Sequence, residues 1–131
     1  MSQQDVGTMR QAYVGFNNGD IPAVLSAFDA QIAWHEPGGE RAPQGTFQGA
    51  DRVGGEVFST VPEHFTEFRA EPAQFIDAGD HVVVVGRFQG TSKRGQVMDA
   101  PFAHVWEMRN GKAVSFHNHV DHKAWTQGWA E

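Results

Sequence analysis

The turn signals Ala78-Gly79-Asp80, Lys93-Arg94-Gly95 and Asn110-Gly111 constrain the fold of this chain more than any other feature. They separate runs rich in β-branched and aromatic residues, and Asn-Gly between apolar runs is the strongest short hairpin signal. The spacing predicts a meander of four strands, approximately 65–77, 81–92, 96–109 and 112–121. Such a sheet has an apolar face, and the rest of the chain must cover it.

The first half has the other periodicity. Val6, Met9, Tyr13 and Phe16 fall at helical spacing over residues 5–17, and Asn17-Asn18-Gly19-Asp20 stops that helix. Asp20 is placed to cap a second helix, with Pro22 in its first turn and Val24, Leu25 and Phe28 on its buried face. A short strand is expected around Ile32-Ala33-Trp34, then a Gly- and Pro-rich loop from Pro37 to Gly49. A third helix over residues 50–60 carries Val53, Val57 and Phe58, although Gly54-Gly55 is a poor helix interior. The tail from His122 to Trp129 forms a short terminal helix. Helices followed by a curved antiparallel sheet make an α+β domain, and 131 residues fit a single one.

Composition removes several classes of function. The chain has no cysteine, which excludes disulfides, thiolate nucleophiles and Cys-ligated zinc. A net charge of -6 argues against a nucleic-acid surface. The apolar run Val82-Val83-Val84-Val85 is far shorter than a bilayer span, so no membrane partner is expected. The start Met1-Ser2-Gln3-Gln4-Asp5 lacks signal-peptide features, and a cytoplasmic location is the expectation.

Alternation assigns faces to the last two strands. Met98, Phe102, His104, Trp106 and Met108 share one face; Val97, Asp99, Pro101, Ala103, Val105 and Glu107 share the other. Both faces are substantially apolar. One should cover the helices and any cavity, and the other should meet a second subunit, which makes a homodimer the expectation. In the last strand Phe116, Asn118 and Val120 alternate with His117, His119 and Asp121.

Seven histidines are many for this length. His117, His119 and Asp121 on one face form a two-histidine, one-carboxylate set that suits an open metal site. That face points away from any pocket unless a β-bulge reverses it. The competing expectation places His104, His117 and His119 at the dimer interface. Trp125 and Trp129 either close the pocket mouth or pack on the domain body.

The segment Trp34-His35-Glu36-Pro37-Gly38-Gly39 puts a carboxylate beside an indole at the lip of the expected cavity. Apolar surroundings disfavour a charged carboxylate and raise its pKa, which suits proton transfer near neutrality. The plainer alternative is an exposed glutamate at a strand end.

Tyr13 through Asp20 (YVGFNNGD), the Trp34–Gly39 segment and Gly45-Thr46-Phe47-Gln48-Gly49-Ala50-Asp51 together resemble the SnoaL-like branch of the nuclear-transport-factor-2-like superfamily. So do Asp99-Ala100-Pro101-Phe102-Ala103-His104-Val105-Trp106 and Asn110-Gly111-Lys112 with Asp121 beyond them. The resemblance implies a cone: a curved antiparallel sheet wrapped by three N-terminal helices around an apolar pocket, commonly dimeric. Relatives include steroid isomerases, polyketide cyclases, an epoxide hydrolase and dehydratases.

Carried over residue by residue, Glu36-Pro37 matches the isomerases' Asp-Pro, whose aspartate shuttles a proton. Tyr13 falls one position off the register of the isomerases' tyrosine, and Ala103 stands where they have a protonated aspartate, so that set is incomplete. Asn118 takes the place of the acid used by cyclases and the epoxide hydrolase, with only Arg87 near the hydrolase's charged pair. Asp121 matches an aspartate expected to cap the terminal segment.

The superfamily hosts many chemistries as well as non-enzymatic binders, and the leading expectation is a cofactor-independent enzyme of isomerase, cyclase or hydratase type acting on a hydrophobic ketone, polyketide or terpenoid-like molecule. Glu36 would move the proton, and Tyr13 and Asn118 would hydrogen-bond a developing oxyanion or position a water. Trp34, Arg87, Asp99, Ala103, Phe116 and Val120 would contact the substrate. The alternative is a non-catalytic domain that binds a small hydrophobic ligand.

Overall fold

The computed structural model describes residues 2–130. Helix α1 (Ser2–Asn17) ends at Gly19, whose φ of 75° turns the chain, and Asp20 caps α2 (Ile21–Leu25) through Ala23 N–H. Strand β1 (Phe28–Pro37) follows, then β2 (Gln44–Gln48). Next come α3 (Ala50–Arg52), a π-helical turn over Val53–Phe58 and α4 (Thr60–His64). Strands β3 (Phe65–Ala78), β4 (His81–Ser92), β5 (Val97–Arg109) and β6 (Lys112–Val120) make the meander, and α5 (His122–Trp129) closes the described chain.

All six strands form one sheet, in the order β2-β1-β6-β5-β4-β3. The meander strands pair antiparallel, and β1 joins β6 in parallel. At the β5–β6 hairpin Asn110 and Gly111 both adopt positive φ, 54° and 78°, as the primed turn of a two-residue loop requires. Bulges interrupt the β3–β4 ladder at Phe65/Glu67 and at Pro72/Gln74. Opposite the second, Gly86 lets β3 approach so closely that an added Cβ would collide with the Glu71 carbonyl. Bulges of this kind bend a sheet, here into an open, curved wall.

The helices lie within the curve. Met9 and Tyr13 of α1 are fully buried, and the Asn17 side chain bonds both backbone groups of Ala70 at 2.9 Å, tying α1 to edge strand β3. The core joins these residues to Val82, Val84, Phe88, Phe102, Trp106 and Phe116 on the concave sheet face.

Several local expectations are corrected. Phe28 opens β1 rather than lying on α2, because α2 stops after one turn and Ser26 turns the chain. Gln44–Gln48, read as loop, pairs with β1 from Ala33↔Gln48 to Pro37↔Gln44; partner strand β1 supplies an order its composition does not predict. The helix expected over 50–60 is interrupted by the π-helical turn, which contains Gly54-Gly55. An added Cβ on Gly54 would lie 3.1 Å from Leu25 Cδ1, so α2 packs directly on this turn. Among the described residues no helix is long and apolar enough to cross a membrane.

Candidate functional site

Strand alternation builds the site. Trp34 and Glu36 lie two apart on β1 and therefore on the same face, which lets the Trp34 indole N–H donate to Glu36 Oε2 at 2.6 Å. The parallel register sets Trp34 beside Phe116, their rings stacked at 3.9 Å between centroids. Two residues further along β6, Asn118 Nδ2 donates to Glu36 Oε1 at 3.1 Å. Each carboxylate oxygen thus receives one N–H.

Glu36 lies on the wall of a narrow cavity lined by Tyr13, Trp34, His104, Trp106, Phe116 and further aromatic side chains. The cavity is small, with a volume of about 70 Å³. Among the described residues no lysine or arginine lines it. By surface area the Glu36 residue is only partly buried, but its carboxyl is turned into the apolar lining, and the loss of water there pushes it up from 4.5 to about 7, with the hydrogen bonds from Asn118 and Trp34 offsetting part of the rise.

Opposite the acid, Trp106 Nε1 donates to the Tyr13 hydroxyl at 3.0 Å, and that hydroxyl lies 2.6 Å from His104 Nδ1. His104 is buried and stacks flat on Phe102 at 3.7 Å. Burial holds its pKa well below the ordinary imidazole value, with Asn118 opposing the shift, so the ring is neutral. The Tyr13 phenol is pushed well above its ordinary range by the same cause.

The structure brings Glu36, Tyr13, Trp34 and Phe116 together around the cavity. Asn118 stands behind the carboxylate, with its N–H already committed to Glu36. Arg87, Asp99 and Ala103 are not at the cavity. Their odd positions on β4 and β5 face outward, where the Arg87 guanidinium pairs with Asp99 at 2.6 Å and both side chains are half exposed. Val120 does not line the cavity: it packs against the margin of the core and borders a shallow depression with Phe102, Ala103 and Asp121.

His104, expected at a subunit interface, is instead buried in the cavity wall. Its parity with Phe102 and Trp106 is the signal that puts it inside. His117 and His119 do face outward: the β5–β6 register runs without interruption from Phe102↔Val120 to Glu107↔Ser115, so no bulge turns them. His117 stacks on His35 at 4.0 Å, and Asp121 caps α5 by accepting from Ala124 N–H at 2.9 Å. Among the described residues no group of three or more His, Asp or Glu side chains is gathered to hold a metal ion. Trp125 and Trp129 are buried in the cavity lining.

Comparison with known proteins adds the following. The model of the SnoaL-like domain matches residues 9–116. Over 98% of both chains, the structure resembles a nuclear-transport-factor-2-like protein of unknown function from Burkholderia pseudomallei, at 30% identity and a TM-score of 0.86. A nuclear-transport-factor-2-like protein from Burkholderia thailandensis is 28% identical over 97% of this chain and 98% of its own, with a TM-score of 0.88. TerC, co-crystallized with polyporic acid, is 29% identical over 95% of this chain and 97% of its own, with a TM-score of 0.83. No curated protein matches the chain.

Proposed function

We propose that this chain, which belongs to the SnoaL-like family, is an acid–base enzyme of isomerase, cyclase or hydratase type, with Glu36 as its proton-transfer group. The observation that carries this reading is the Glu36 carboxyl: on the wall of an aromatic cavity, held by two N–H donors, and raised to about 7 by burial. An acid–base group works best with a pKa near the working pH, and this one is placed there by its surroundings.

The substrate class follows from the wall. Aromatic faces and the absence of a cationic side chain favour a neutral, flat, apolar molecule with an acidic C–H, such as a ketone. Glu36 removes the proton from carbon and returns it at another carbon, so the enzyme ends each turnover unchanged. The narrow cavity requires side chains to yield as the ligand enters.

One observation favours a second reading, a non-catalytic ligand-binding domain. The Tyr13 hydroxyl and the Asn118 amide are both occupied within the protein, which leaves neither free for an oxyanion without rearrangement. Glu36→Gln separates the two. A catalytic Glu36 predicts a loss of turnover of roughly 10²–10⁴-fold with ligand affinity kept. Retained turnover contradicts the enzyme reading. Polyporic acid, the ligand of the TerC crystals, and neutral aromatic ketones are suitable probes for thermal-shift binding.

A homodimer through the outer sheet face is part of the same proposal. What supports it is the exposed apolar surface of Val85 and Ile76 on that side of β4 and β3. Size measurement by sedimentation tests it, and a monomer at tens of micromolar would contradict it.

A further inference from the structure

Among the buried atoms at the site without a hydrogen-bond partner are the indole nitrogens of Trp125 and Trp129, on α5, and two that face each other across the sheet, His104 Nε2 and Asn118 Oδ1. These last two belong to residues directly paired across β5 and β6. A neutral imidazole and a primary amide each need one further partner here, and their pairing on one face of the sheet makes each the candidate for the other, although the structure draws no hydrogen bond between them. The Asn118 side chain also acts on His104 as a hydrogen-bonding group that favours its charged form.

The direction of every link is fixed by its two ends. An indole N–H only donates, so Trp106 makes the Tyr13 oxygen an acceptor. Above pH 7, where Glu36 is ionised, its carboxylate only accepts, so Asn118 must present its N–H to Glu36 and its carbonyl to the opposite side. That carbonyl needs a donor, which makes Nε2 the protonated nitrogen of His104. Nδ1 is then an acceptor, and the Tyr13 O–H supplies its proton to that bond at 2.6 Å.

We propose that His104 and Tyr13 are positioning residues for Glu36. Together with Trp106 they form a one-way hydrogen-bond chain that holds the Asn118 amide with its N–H toward the carboxylate. The proposal rests on Glu36 being the working acid of the cavity. It assigns no proton transfer to His104, which never touches the reacting atoms in this scheme. Other groups near the chain are Trp34 on β1 and, through the sheet, His119, whose charge opposes that of His104. On the outer face His35 and His117 stack on each other, away from the carboxylate.

The chain has a consequence at a distance. In Tyr13→Phe, His104 Nδ1 loses the hydroxyl that kept it an acceptor, and the other tautomer becomes accessible. Nε2 is then the acceptor, the amide turns its N–H toward it, and the Asn118 carbonyl meets Glu36. A carbonyl against a carboxylate disfavours the charged form and raises the acid's pKa.

The test is nuclear magnetic resonance on the full chain without ligand, so it stands apart from any assay of turnover. Imidazole nitrogen shifts of the unmodified protein should report His104 as the Nε2–H tautomer at pH 8; an Nδ1–H tautomer overturns the proposal. In Tyr13→Phe the Glu36 titration midpoint, followed at its carboxyl carbon, should rise by at least half a unit. An unchanged midpoint in a folded Tyr13→Phe overturns it equally. Should that variant fail to fold, the tautomer of the unmodified protein decides alone. An inactive or active Glu36→Gln alters neither result, so failure here is distinguishable from failure of the enzyme reading.

Discussion

The two faces of β5 and β6 carry similar residue types and give them opposite fates. On the concave face His104 and Asn118 are buried, His104 is held neutral, and Asn118 is bonded to an acid raised to about 7. One residue along, on the convex face, His119 is exposed and the Arg87–Asp99 pair is half in water. Chemistry that depends on a shifted pKa needs the first environment, since solvent and salt screen the second. A polar residue's meaning in this sheet is set by its parity before its identity.

Substitution should separate the faces most clearly in stability. Phe116→Ala removes a buried ring stacked on Trp34 and should cost about 3–5 kcal/mol in urea unfolding. Val97→Ala, at a side chain 69% exposed on the other face, should stay within about 0.5 kcal/mol. Equal costs would break the comparison.

The next largest effect concerns pH. The Glu36 carboxyl has a higher pKa folded, about 7, than its ordinary 4.5, so the folded state holds its proton more tightly. Its contribution is most favourable below pH 4.5 and is lost as pH rises through 7. The loss amounts to at most about 3 kcal/mol. Glu36→Gln has no such group, so its stability relative to the unmodified protein should improve between pH 5 and pH 8. Parallel pH–stability curves would show that the acid is solvated.

Smaller effects should follow on the convex side. Asp121→Ala removes the cap of α5 and should cost about 1 kcal/mol in thermal unfolding. Arg87→Ala breaks an exposed ion pair and should cost under about 1 kcal/mol, less at high salt. A larger, salt-independent loss would place this pair under the proposed partner subunit and not at its rim.

Sequence periodicity made most of the architecture legible. The turns at Gly79, Gly95 and Asn110-Gly111 bound the meander to within a residue or so, because turn chemistry is local. Strand β2 was not legible, since Gln44–Gln48 owes its extended form to pairing with β1. The break of the third helix also depends on packing, at Gly54 against Leu25. Glu36 could be singled out because Trp34 shares its face by alternation. Arg87, Asp99 and Ala103 were assigned to the substrate by family position, against their own parity. His104 was sent to the interface although Phe102 and Trp106 flank it at even spacing, and the sequence holds no sign that Tyr13 on a distant helix would meet it.

The account turns on whether Glu36 is an acid sheltered from water. Its carboxyl carbon, labelled and titrated by nuclear magnetic resonance in the ligand-free protein, measures this directly. A midpoint close to 7 is the predicted result, and a midpoint close to 4.5 would contradict the account.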